Sequence, residues 1–338
     1  MKRETNIARR PVFALGAVLL GCVVAVVVAE AAARTYVYLV AERGRLFQPH
    51  EDLGWAPIPN LDLVRRNPAG EHWRVRTNAR GHRSLEEHLR ADAARRVLVV
   101  GDSFAFGEGV GIEDRFDALL AERHPDWSFV NQGVMGYGTD QQMIAAREDI
   151  AQLREGDLLL IVSYVNDFLD LLMHSHSGRA KPWFELRDGE LSEHSPRIGV
   201  AERLRDESYL LARIFQLLDR TSDDFTRGQL RTSGHLYRRI IEQETAEAIA
   251  RGVHVLIAYH GSPTLNDASQ SALKAAARDA LTRLCETPDI DCVSLDPALT
   301  SALGLFQPDG HWSADGNAAV ARVIERALAA RAGGRDEG

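Results

Sequence analysis

The chain has 338 residues, 45% of them apolar, and its 40 Lys and Arg against 48 Asp and Glu give a formal net charge of −8. That apolar content is enough for a sizeable core, so a folded globular protein is expected and a disordered chain is excluded. The acidic balance also excludes a nucleic-acid partner, because phosphate binding needs clustered Lys and Arg, and here such residues cluster only at the extreme N-terminus.

Lys2, Arg3, Arg9 and Arg10 precede an uncharged stretch from Pro11 to Ala29. A helix of roughly 20 apolar residues crosses a bilayer core. Residues 11–29 are therefore expected to form a transmembrane helix. By the positive-inside rule, residues 1–10 are then a cytoplasmic tail and the rest of the chain is extracytoplasmic, in the periplasm. A cleavable signal peptide ending near Ala31-Ala32-Ala33 is the main rival, and the length of the apolar stretch favours an uncleaved anchor. Leu19-Leu20-Gly21-Cys22 has the form of a lipoprotein acylation site. The apolar residues that follow Cys22 argue instead for a small residue inside a membrane helix.

From Glu30 to Phe47 apolar residues such as Tyr36, Tyr38, Leu39 and Val40 mix with Arg34, Arg43 and Arg45, and residues 30–50 read as a stalk helix continuing the anchor. Between 51 and 94 the pattern changes to Pro57, Pro59, Asn60, Pro68 and Gly70 around short runs such as Trp73-Arg74-Val75-Arg76-Thr77. Short strands and turns fit it, so a small β-rich appendage is expected there.

Beyond Arg95 apolar strands alternate with helical stretches. The expected strands are Val97–Val100, Ser128–Asn131, Asp157–Ser163, Val253–Tyr259 and Asp291–Leu295. The expected helices are Arg115–Glu122, Asp140–Leu153, Gly234–Arg251, Gln270–Glu286 and Asp315–Ala330. Mostly apolar strands in βαβ alternation predict a parallel sheet covered on both faces, and right-handed crossovers make it a doubly wound, flavodoxin-like α/β domain over residues 95–334. The interval from Phe168 to Leu230 reads as irregular, inserted at the strand ends. Cys285 and Cys292, between a helix and the next strand, are either a disulfide or two buried thiols.

Four segments at strand ends or near the last helix carry the residue types of acyl transfer. The first strand runs into Gly101-Asp102-Ser103-Phe104, which places a hydroxyl where open α/β sheets bind ligands. Asn131-Gln132-Gly133-Val134-Met135-Gly136 offers a glycine whose backbone N–H can approach a substrate closely. Tyr164-Val165-Asn166-Asp167 offers a side-chain amide, and Pro308-Asp309-Gly310-His311-Trp312 an imidazole with a carboxylate beside it. A hydroxyl attacks a carbonyl only when a base takes its proton, and the tetrahedral intermediate needs prepositioned donors. Each motif alone is weak; their order and placement together are not.

With these four motifs in this order, residues 95–330 resemble the SGNH, or GDSL, hydrolase family. The resemblance implies that Ser103 is the nucleophile, His311 the base and Asp309 the orienting acid, with the Ser103 N–H, Gly136 and Asn166 forming the oxyanion hole. Two departures stand out. The family usually has Gly two residues before the Asn, where this chain has Tyr164, so the pocket wall should be bulkier. Its acid usually lies three residues before the His, where this chain has Pro308, leaving Asp309 two residues before. A similar Asp-x-His spacing occurs in relatives that act on O-acetylated polysaccharides, including proteins that look like alginate O-acetyltransferases.

The expected function is thus serine-dependent cleavage or transfer of an acyl ester, with acetyl esters of a cell-surface polysaccharide as substrate, no cofactor or metal, and polysaccharide-export proteins as partners. A lipid or thioester esterase is the enzymatic alternative, and a noncatalytic polysaccharide-binding or assembly component the other. His174 and His176 lack an evident third ligand and read as exposed loop histidines. Trp183 and Phe184 either stack on sugar rings or pack the insertion against the core, and Trp312 either lines the pocket or wedges its loop. Asp140 reads as an N-terminal cap or dipole partner of its helix rather than a catalytic acid. Gly107 and Gly109 lack the following Lys-Ser/Thr of a phosphate-binding loop.

Overall fold

The computed structural model describes residues 9–39, 45–200, 204, 208–218, 226–261, 268–299 and 304–334. Most of the expected tail, residues 1–8, and residues 40–44 of the expected stalk lie outside that set.

Helix α1 (Arg9–Leu39) is long and apolar enough, from Phe13 to Tyr36, to cross a membrane. The stalk expectation needs correction: Phe47–His50 is not helical but strand β1, paired antiparallel with β2 (Gly54–Pro57). Pro49 supplies no N–H for a helical ladder and sits without penalty in a two-stranded ribbon. A second hairpin follows, β3 (Asp62–Arg66) on β4 (His72–Arg76). Alternation puts Trp73 and Val75 of β4 inward, against Leu46 and Phe106, while Leu53 and Trp55 pack on Val134 and Tyr137.

The main sheet has five strands, β5 (Arg95–Gly101), β6 (Trp127–Asn131), β7 (Leu158–Tyr164), β12 (His254–His260) and β13 (Ile290–Ser294), in the order β13-β12-β7-β5-β6. All four pairings are parallel. This is the doubly wound, flavodoxin-like arrangement, and its order reverses between β5 and β7. Successive side chains of a strand face opposite sides, and both sides are buried: Val97, Val99, Leu158, Leu160 and Leu256 enter one core, Leu98, Val100, Leu159, Ile161 and Val255 the other.

Ten helices are described. After α1 come α2 (Ser103–Phe106), α3 (Phe116–Arg123), α4 (Thr139–Gln152), α5 (Asp167–Asp170), α6 (Tyr209–Leu218), α7 (Arg227–Ala250), α8 (Ala268–Cys285), α9 (Asp296–Leu299) and α10 (Ala314–Gly334). Helices α4, α7 and α8 cover one face of the sheet and α3 and α10 the other. Helix α7 starts seven residues earlier than apolar periodicity indicates, because Thr226 and Gln229 form a capping box. At the junction with α1, the backbone N–H groups of Tyr209 and Leu210 each donate to the Glu30 carboxylate at 3.0 Å. Cys285 and Cys292 form a disulfide from the end of α8 to β13.

The interval after Phe168 is more ordered than its sequence pattern indicates. It holds the hairpins β8 (Ser175–His176) with β9 (Arg179–Ala180) and β10 (Trp183–Arg187) with β11 (Glu190–His194). Lys181, between them and fully buried, pairs with Asp140 in the first turn of α4. Its ammonium also donates to the carbonyls of Asp170 and Pro182, each at 3.2 Å. Asp140 is therefore not the N-cap of α4, which is Gly138; it sits in the first turn, where a carboxylate faces the helix dipole, and it also anchors the insertion.

Candidate active site

Strand β5 ends at Gly101, where a Cβ would come within 2.7 Å of both the Val162 carbonyl oxygen and the Ala105 side chain. Only glycine lets the chain turn this tightly against β7. Asp102 then caps α2 by accepting from the Phe104 N–H at 2.9 Å, and Ser103 begins the helix. The second motif is tied to the same turn: Asn131 donates to the Ala105 carbonyl at 3.0 Å and accepts from the Gly133 N–H at 2.8 Å. Gly133 lies so close that a Cβ would be 2.5 Å from the Phe106 nitrogen. Asn166 follows β7, so Ser103 and Asn166 flank the point where the strand order reverses.

The loop before α10 brings His311 across to β5. His311 Nε2 is 2.8 Å from Ser103 Oγ. Asp309 accepts from the His311 backbone N–H at 3.2 Å, and its other oxygen lies 3.1 Å from the ring Nδ1. The latter contact is an ion-pair approach without the alignment of a hydrogen bond, since Nδ1 has no hydrogen-bond partner by geometry. With the proton on Nδ1, beside the carboxylate, Nε2 presents a lone pair to the serine hydroxyl. Trp312 is buried, packed on Phe104 and Phe116, and so wedges this loop in place.

Ser103, Asn166, Gly136, His311 and Asp309 all line one cavity of about 560 Å³, so the five sequence-predicted residues are brought together. Four further contributors have no motif. Glu108, on the loop after α2, places Oε2 3.4 Å from His311 Nε2, giving the imidazole a second carboxylate neighbour. Phe47 and Trp55 come from the β1–β2 hairpin. His176, read from sequence as an exposed loop residue, is instead half-buried in the cavity wall, with Nδ1 3.1 Å from the buried Asp170. A Cβ at Gly136 (φ +78°) would be 3.0 Å from His176 Nε2, so both backbone conformation and the imidazole favour glycine there. His174 is exposed, stacked on Trp183, on which His194 also stacks; these histidines leave Trp183 engaged in packing, and Phe184 is core.

Two buried carboxyl groups, Asp102 and Asp167, lie next to the serine and the asparagine in the chain. Burial pushes the Asp102 carboxyl up to about 6, opposed by the Phe104 N–H, the charge of His311 and the Asn166 amide. Burial, reinforced by Asp102, holds Asp167 well above the usual carboxylate range. Asp167 accepts from the Tyr164 N–H at 3.0 Å, from Ser163 Oγ at 3.1 Å and from Gln142 at 2.8 Å, which fixes the segment that carries Asn166. On the other side, the buried Arg83 donates to the carbonyls of Phe106 (2.6 Å), Gly107 (2.9 Å) and Val110 (2.6 Å), gripping the loop just past the serine. Burial lowers its pKa to about 9. Among the described residues, no group of three or more His, Cys, Asp or Glu side chains forms a metal-binding cluster.

No protein-family model matches the chain, and no curated protein does. Among solved structures it is similar to a lipolytic protein of the G-D-S-L family from Desulfitobacterium hafniense, at 13% identity and a TM-score of 0.43 over 68% of this chain and 98% of that one. It is also similar to a lipase from a goat rumen metagenome, at 13% identity and a TM-score of 0.47 over 69% of this chain and 97% of that one. An acetyl xylan esterase from Butyrivibrio proteoclasticus is a third such structure, at 10% identity and a TM-score of 0.39 over 71% of this chain and 65% of that one.

Proposed function

We propose that this chain is an SGNH-type serine ester hydrolase or acyltransferase, tethered by α1 with its site on the extracytoplasmic side, and that it acts on acetyl esters of a cell-surface polysaccharide. The observation that carries the reading is the 2.8 Å approach of His311 Nε2 to Ser103 Oγ, in a cavity that also receives Asn166, Gly136 and Asp309. A weak nucleophile held against a base beside convergent donors is the arrangement that acyl transfer requires.

His311 takes the Ser103 proton as Oγ bonds to the acyl carbon. The carbonyl oxygen becomes an oxyanion, held by the backbone N–H groups of Ser103 and Gly136 and by the Asn166 amide. When the carbon–oxygen bond to the alcohol breaks, His311 returns the proton to the leaving oxygen. Water then attacks the acyl-serine with His311 again as base, releasing the acid and restoring Ser103. A sugar hydroxyl taking the place of water makes the same steps a transfer. Asp309 faces the Nδ1 side of the imidazolium formed in each half, and Glu108 the Nε2 side. The substrate class rests on the apolar N-terminal helix and on the Asp-x-His spacing.

The test is labelling of the full chain in detergent with a fluorophosphonate probe. Labelling of the unmutated protein that is lost in Ser103→Ala and His311→Ala is expected. A folded protein that takes no label, or labels equally in both variants, overturns the reading.

A further inference from the structure

A second cavity, of about 630 Å³, lies directly behind the first, and Tyr164 is the one residue common to the two linings. Its ring is one of a cluster of three with Phe104 and His260, whose own centroids lie 5.8 Å apart. The centroid is 4.4 Å from Phe104, which lines the catalytic cavity, and 5.4 Å from His260, which lines the other. The partition is stiff. The buried His260 is held by Asp296 at 2.8 Å, and the Tyr164 N–H is held by Asp167. Phe104 is fixed on the nucleophile helix and packed on Trp312.

The second cavity runs between the sheet and α8. Val165, Phe168, Ala277 and Leu281 give it an apolar stretch, and Lys274, Arg278, Glu286, Ser294 and Asp296 supply charged and polar groups beside it. The apolar stretch of that lining suits an alkyl chain. The two aromatic residues flank the acyl-binding machinery in the chain: Phe104 follows Ser103, and Tyr164 stands two residues before Asn166. The same cavity is also lined by Phe47, Trp55, His176 and Arg179, and the polar groups of His176 and Arg179 suit the alcohol part of an ester.

We infer that Tyr164 sets acyl-chain length: its ring closes the catalytic cavity at the acyl end, restricting the site to short acyl groups, and removing it joins the two cavities and admits medium-chain acyl esters. The inference rests on the ester-cleaving reading above and names its acyl specificity. Each methylene moved from water into an apolar wall is worth about fourfold in binding. Several methylenes beyond the partition therefore give a large change in preference even when packing is imperfect.

The experiment measures kcat/KM for p-nitrophenyl acetate and p-nitrophenyl octanoate on the full chain in detergent, with the Ser103→Ala background subtracted. The octanoate-to-acetate ratio is expected to rise at least about 10-fold in Tyr164→Ala and to stay at its original value in Tyr164→Phe, which keeps the ring. Adding Thr282→Trp, which fills the second cavity from the exposed face of α8, should cancel the gain. An unchanged ratio in folded, fluorophosphonate-reactive Tyr164→Ala overturns the inference alone, as does a gain that Thr282→Trp leaves intact. Absence of any Ser103-dependent turnover in the unmutated protein overturns the ester-cleaving reading and this inference with it.

Discussion

Replacing Lys181 with Met tests whether the insertion is locked to the parallel-sheet domain by charge. Lys181 and Asp140 have no solvent-exposed side-chain surface. The substitution keeps the apolar stem and leaves a buried carboxylate without its counter-charge. Breaking a buried pair from one side costs about 3–5 kcal/mol, whereas an exposed pair costs less than about 1. The carbonyls of Asp170, Pro182 and Met173 also lose a donor. Asp140 is already held above the usual carboxylate range by burial, with Lys181 as the main opposing influence. Without the lysine its carboxyl rises further, so on acidification it takes up a proton in the folded state before it does in the unfolded one. Sign follows from that: the variant's deficit is full at neutral pH and shrinks as pH falls through the raised pKa. Urea unfolding of the full chain in detergent, followed by tryptophan fluorescence, gives the size. Asp140→Asn combined with Lys181→Met removes the stranded charge and should recover most of the loss. A Lys181→Met variant within about 1 kcal/mol of the parent, or a double variant no better than the single, would refute the argument.

Asp102→Asn keeps an acceptor for the Phe104 N–H and removes a carboxyl whose pKa is raised from 3.8 to about 6. A raised acid favours the folded state while protonated, so the parent should lose stability relative to the variant as pH climbs from about 4 through about 6, by about 3 kcal/mol in all. Parallel stability curves for the two proteins would show that the carboxyl does not carry this strain. Asn166→Ala should fold normally and lower kcat for a Ser103-dependent ester about 100- to 1,000-fold, the usual loss of one oxyanion donor. Parent-like turnover would remove Asn166 from the site.

The parallel sheet was legible because its central strands β5, β7 and β12 are apolar runs whose two faces are both buried, a pattern that depends on neighbours in sequence. Ser103, Asn166 and His311 were legible for a related reason: each sits in a short motif at a strand end or before the last helix, where local chain order already constrains position. The β8–β9 hairpin was not, since its strands have two residues each and give no period to read, whereas β10–β11 carried a usable signal in the Asp188-Gly189 turn between two five-residue strands. His176 was misplaced because its environment comes from Asp170 and Gly136, which only the fold puts beside it. Glu108 carried a usable signal, an acidic residue between two glycines a few positions past the serine. Thr226 and Gln229 carried another, a capping pair three residues apart ahead of α7.

Arg83 bears on where this molecule can be cut. Its guanidinium holds three carbonyls at the end of α2 and in the loop just past the serine, and Phe47 and Trp55 wall the same hollow from farther upstream. A graft of residues 95–334 into another protein would transfer every motif residue and still leave that loop ungripped and one flank of the hollow open to water. The portable unit begins near Arg45, and a homologue that lacked the two upstream hairpins would have to rebuild that flank from some other part of its chain.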